Sequence, residues 1–99
     1  MARRIIWSKN ALRDKVWILD YWFKKIGTKT YSRKLNKELK LAIQNLKHFP
    51  QMGRLLENTE IRFLVVDYYQ IFYNFSDTEI RILHLWDSRR NPEDLIIEN

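Results

Sequence analysis

Residues 60–75 read EIRFLVVDYYQIFYNF. They form two short runs of β-branched and aromatic side chains joined at Asp67-Tyr68. Such runs suit a pleated, half-buried surface, and their lengths are those of strands. The joint leaves room only for a tight turn. The near-continuous apolar character of Phe63 to Val66 predicts a strand covered on both faces, and so central in its sheet. One residue interrupts this pattern. Arg62 stands inside the apolar run, where a charge is costly unless it meets a partner or water.

Downstream, Ser76-Asp77-Thr78-Glu79 has turn composition, and Ile80 to Trp86 reads as a last strand that Asn91-Pro92 prevents from resuming. Strict alternation would put Arg81, Leu83, Leu85 and Asp87 on one face, with Ile80, Ile82, His84 and Trp86 on the other. Upstream, Arg54-Leu55-Leu56 is a further short strand. Before Gly53 the period changes from 2 to 3.6. Tyr31, Leu35, Leu39, Ile43 and Leu46 form the stripe of a helix that starts at Thr28 or Thr30 and is closed by Phe49-Pro50. Leu12, Val16, Leu19, Phe23 and Ile26 form the core-facing stripe of an earlier helix, with Ser8 as N-cap and Gly27 as its stop. Residues 3–8 supply a first strand. The order β-α-α-β-β-β, with one more short strand, gives an α+β domain: a helical hairpin on one face of a mainly antiparallel sheet of four to five strands.

Ninety-nine residues, 45% of them apolar and 14% aromatic, suffice for one core, so residues 1–99 are expected to form a single domain. No cysteine is present, which excludes disulfides and thiolate metal sites and suits a reducing cytoplasm. Two distant histidines make no zinc site, two glycines make no phosphate-cradling loop, and no run is long enough to span a membrane. A cytoplasmic protein without cofactor or metal is expected. The net charge of +6 is unevenly spread. Residues 1–49 hold thirteen lysines and arginines against three acids, and residues 50–99 hold five against nine. Beyond Lys47 every cation is arginine, the residue that forks onto phosphate or carboxylate.

Candidate site residues follow from that asymmetry. Arg62 and Arg81 on strands, with Arg89 and Arg90 past the last one, form a candidate cationic patch on the sheet face away from the helices. Arg54 and Tyr69 stand beside it as binding candidates. A cross-strand ion pair of Arg62 with Glu60, Asp87 or Glu79 explains that arginine as well, and a solvated tail explains Arg89 and Arg90. His84 lies in an isoleucine and tryptophan row that suits a hydrogen-bonded core histidine. Tyr68, Tyr69 and Tyr73 can stack on bases, donate a proton, or simply pack.

The whole chain resembles the RelE/ParE superfamily of bacterial toxins from type II toxin–antitoxin systems. The likeness is carried by WSKNALRDKVWILDYW (residues 7–22), by LxxAIxxLxxFPxMGR from Leu39 to Arg54, and by the Ile61-Arg62 pair. The YYQIFY strand and the terminal IRILHLWDSRRNPEDL complete it. It implies a curved sheet under a helical hairpin and a poison of growth neutralised by a cognate antitoxin, in a hetero-oligomer. Two mechanisms occur in the superfamily. RelE-like members cut messenger RNA on the ribosome. ParE-like members, which this arginine-rich ending resembles more, inhibit DNA gyrase. A nuclease would use Arg62, Arg89 and Arg90 as phosphate clamps, His84, Glu57 or Glu60 as base, and Tyr69 or Tyr73 as acid. The paired lysines of one nuclease subgroup and the terminal His-Tyr of another are absent. Loss of toxicity, with binding alone retained, is the third reading.

Overall fold

The computed structural model describes residues 3–90 and residue 95. The elements are β1 (Arg4–Trp7), α1 (Lys9–Ile26), α2 (Thr30–Leu46), β2 (Arg54–Leu55), β3 (Arg62–Val66), β4 (Tyr69–Phe75) and β5 (Glu79–Asp87). The sheet is open and curved, with strand order β1-β5-β4-β3-β2. Only β1 and β5 run parallel; the other pairs are antiparallel. This is the expected α+β architecture. The stop expected at Asn91-Pro92 lies outside the described residues.

Local chemistry explains the element ends. The Ser8 hydroxyl accepts the Ala11 N–H at 3.0 Å and starts α1. Gly27, at φ 84°, takes the left-handed geometry that terminates the helix, and its N–H reaches the Phe23 carbonyl. Helix α2 begins at Thr30 behind Lys29, without a side-chain cap, and ends at Leu46, ahead of the Phe49-Pro50 stop. Asp67, at φ 56°, turns β3 into β4.

Helix α2 faces the sheet as its stripe predicts. Leu35, Leu39, Ile43 and Leu46 are essentially inaccessible to solvent, and each such burial favours the fold by roughly 1.5–3 kcal/mol. Helix α1 does not. Its buried residues are Ala11 and Ile18, with Leu19 and Trp22 packed beside them. Of the expected stripe, Val16 is 69% exposed, and Leu12, Phe23 and Ile26 also face solvent. The helix is apolar on two sides, and the Leu12–Val16 side is not the one the core uses.

The expectation for β3 also fails. It lies second from the edge, beside the two-residue β2, and its Val65 faces solvent. The strands buried on both faces are β4 and β5. Tyr69, Ile71, Tyr73, Ile80, Ile82 and Leu85 pack under the helices. Ile61, Phe72, Leu83 and Trp86 form a smaller cluster on the second face, joined by Leu56, Phe63 and Leu95. The face expected to be bare is therefore partly covered by the 56–61 loop and by Leu95. Strict alternation in β5 breaks at Leu83. Phe72 pairs with His84 and Tyr73 with Ile82, so Leu83 is an extra residue. Before it, even-numbered residues face the helices; after it, Leu85 does.

Candidate functional site

The four arginines of the expected patch do not meet. Arg62 sits opposite Tyr73 in register and alternates with Leu64 and Val66, which pack on the main core. It therefore lies on the helix-bearing face, beneath the loop after α2. Its Nη1 donates to the carbonyls of Gly53 (2.9 Å) and Gln51 (3.3 Å). Arg81 lies on the second face, where its Nε donates to Glu79 at 3.2 Å. Arg89 and Arg90 follow Asp87, which pairs with Tyr69 at the far end of β4 from Tyr73. About 13 Å of strand separates those two ends. Arg54 is exposed on β2. A convergent guanidinium patch on an uncovered sheet face is not what this chain builds.

The candidate proton carriers are equally committed. The Tyr73 hydroxyl accepts the Gly53 N–H at 2.8 Å and donates to the Pro50 carbonyl at 2.7 Å. Together with Arg62 it locks the 50–53 turn onto β4, and burial pushes its pKa up. The approach is close: a Cβ on Gly53 would stand 2.5 Å from the Tyr73 hydroxyl oxygen. Tyr69 is fully buried and accepts the Trp22 indole N–H at 2.6 Å; burial raises its pKa too. His84 Nδ1 meets Asp14 Oδ2 at 3.1 Å, and its Nε2 is buried without a partner among the described residues. Glu57 and Glu60 lie within the 56–61 loop, in exposed positions.

Strand lengths create a recess beside Arg90. β1 pairs with β5 only as far as Trp7 opposite Ile82, while β5 runs on to Asp87. Helix α1 takes over that open edge. The Ser8 hydroxyl donates to the Leu83 carbonyl at 2.8 Å, and Asp14 Oδ2 accepts the Leu85 N–H at 3.0 Å. Beyond those caps lies a cleft of about 520 Å³ lined by Arg13, Asp14, Trp17, Ile18, Leu85, Asp87 and Arg90. Asp87 is gripped through both oxygens by Arg89, at 2.9 and 2.7 Å, which holds its carboxyl below the usual range. The Arg89 guanidinium also lies 4.6 Å from the Tyr68 ring centre, and Arg90 stacks 4.3 Å over Trp86.

Arg13, Asp14 and Trp17 were absent from the expected site. The available signal was the crowding of α1, where Leu12, Val16 and Trp17 exceed what one core-facing stripe needs. The Asp87-x-Arg89 spacing was the sign of the fork.

Residues 5–92 match the family described as ParE toxin of type II toxin-antitoxin system, parDE. Among solved structures, the chain is similar to one described as the chromosomal ParDE TA system from P. aeruginosa. The TM-score is 0.73 at 20% identity, over 85% of this chain and 94% of that one. At that identity the likeness speaks for the fold. No curated protein sequence matches the chain.

Proposed function

This chain belongs to the ParE toxin family of type II toxin–antitoxin systems, and we propose that it arrests growth by binding its target, without cutting RNA. The observation that carries this reading is the state of the nuclease candidates. Tyr73 and Tyr69 are buried and hydrogen-bonded within the fold, His84 is held by Asp14, and Arg62 is spent on two backbone carbonyls. Cleavage through a 2′-hydroxyl needs a base, an acid and cations around one phosphate. Arg62 and Tyr73 sit together at one end of β4, Tyr69 lies near Arg89 at the other, and His84 pairs with Phe72 of the second-face cluster, so base, acid and cations do not surround one phosphate.

The target the family resemblance implies is DNA gyrase, and the neutralising partner is a cognate antitoxin. Gyrase supercoiling assays with the purified chain test the first. Inhibition is expected, with no change in translated messenger RNA by primer extension after induction in cells. Clear cuts in the ribosomal A site with supercoiling unaffected would overturn the reading. An adjacent reading frame for an acidic protein, whose co-expression restores growth, is expected for the second.

A further inference from the structure

The cations of α2 serve neither the core nor the loop lock. Lys29, just ahead of the helix, and Arg33, Lys37 and Lys40 on it recur at steps of four, four and three residues, so they share one side. All are exposed, away from the buried row of Leu35, Leu39, Ile43 and Leu46. At 1.5 Å per residue the cationic row is about 16 Å long. The acids nearest to it in sequence are already taken: Glu38 by Lys34 at 4.0 Å and Asp20 by Lys24 at 2.9 Å. Among the described residues, Arg33, Lys37 and Lys40 have no carboxylate, and Lys29 has only the Phe23 ring. A merely solvated helix face gains by alternating its signs, as Lys34 and Glu38 do. Like charges three or four residues apart repel and weaken the helix that carries them. The row works against the fold, and an anionic ligand reverses that effect.

We propose that Lys29, Arg33, Lys37 and Lys40 grip the phosphate backbone of duplex DNA, without reading its sequence. Such a duplex carries one charge per about 1.7 Å of axis, so the row faces more phosphates than it has cations. Single strands are disfavoured because they need aromatic platforms. The one aromatic residue of α2, Tyr31, is half-buried and bonded to Asp67. A membrane surface or an acidic protein needs an apolar contact at its centre. Helix α2 spends its apolar side on the core and leaves only Leu41 exposed among its large apolar residues. Duplex RNA offers similar phosphates, but its narrow major groove excludes a helix, whereas that of B-form DNA, about 12 Å wide, admits one. The proposal does not rest on the gyrase reading.

The test is fluorescence anisotropy of the intact chain with a labelled, mixed-sequence DNA duplex across a salt series. Four neutralised phosphates give a log–log slope of about −3.6, or a roughly hundredfold loss of affinity between about 50 and 200 mM salt. In Arg33→Gln/Lys37→Gln that slope should shrink to about half, and affinity at low salt should fall at least tenfold. Lys37→Gln/Lys40→Gln should give the same slope. Arg13→Gln on α1 and Arg81→Gln on the second sheet face should match the wild type. Because the row repels itself, melting by circular dichroism should be no lower in either double variant. The proposal is overturned by absence of binding at low salt, or by a slope that both double variants leave intact. It is equally overturned if Arg13→Gln or Arg81→Gln weakens binding as much, or if single-stranded DNA, duplex RNA or polyglutamate binds as tightly. Growth and gyrase do not enter the measurement, so failure here is separable from failure of the toxin assignment.

Discussion

Replacing Tyr73 by phenylalanine removes one oxygen that serves two backbone groups. The ring keeps its packing among Ile71, Ile82 and the helices, so the loss is almost purely polar. The Gly53 N–H, buried against that oxygen, is left without an acceptor, which costs ~1–3 kcal/mol. The Pro50 carbonyl loses a donor, for about 1 kcal/mol more. The expected destabilisation is therefore about 3 kcal/mol. A domain of this size loses roughly 4–8 °C of melting temperature per kcal/mol, so Tm should drop by about 12–24 °C. Urea unfolding followed by tryptophan fluorescence, with the slope unchanged, gives the free energy directly. A loss below about 0.5 kcal/mol would refute the loop-lock account. A second readout separates structure from chemistry: below its melting point, Tyr73→Phe should still inhibit its target. A folded variant with abolished activity would make the hydroxyl chemical and sink the proposed function.

Arg62→Ala should cost about 1–2 kcal/mol in urea titration, after discounting for partial exposure, since a charged donor leaves two carbonyls. Toxicity of the folded variant in an induction assay should persist; its complete loss would restore a ligand-binding role for this arginine. Asp87 has a lowered pKa because Arg89 grips it, so its stabilising share is complete above the normal carboxylate pKa and fades as pH falls through the depressed one. Melting curves of Asp87→Asn and wild type should therefore differ at neutral pH and converge in acid; a constant gap would contradict this. Burial and the bond to Asp67 push Tyr31 up to about 12, and Tyr69 and Tyr73 are raised as well. Stability should thus hold below the ordinary tyrosine pKa near ~10 and fall as pH climbs towards about 12. Replacing Tyr31 by phenylalanine should flatten part of that alkaline decline in a pH series of unfolding midpoints.

The element order was legible because helix and strand periods differ and the chain switches between them twice, at Ser8 and at Gly53. The α2 face was legible because four aliphatic residues recur on one side with cations elsewhere. Two failures have definite physical causes. In β5 a single extra residue, Leu83, reverses the sense of alternation for everything after it. No local pattern announces that, so His84 and Leu85 were assigned to each other's faces. In α1 two apolar rows compete, and periodicity cannot say which one the core accepts. The choice falls to the row that carries Ala11, whose small side chain leaves it completely buried.

The arginine reading failed for a reason that explains the composition instead. A guanidinium offers several donors and a flat face, and the chain's own groups use both. Arg62 bridges two carbonyls, Arg81 reaches Glu79, Arg89 forks onto Asp87 over Tyr68, and Arg90 lies on Trp86. A lysine could satisfy a point charge, but it cannot give a bidentate grip or stack on an indole. Four of the five arginines after Lys47 are thus accounted for by the needs of a small sheet and its carboxy-terminal turn, Arg54 being the exception. By the same accounting, cationic charge free for a partner must be sought where the fold has not used it. Arg13 on α1 and Arg54 on β2 have no such intramolecular partner among the described residues.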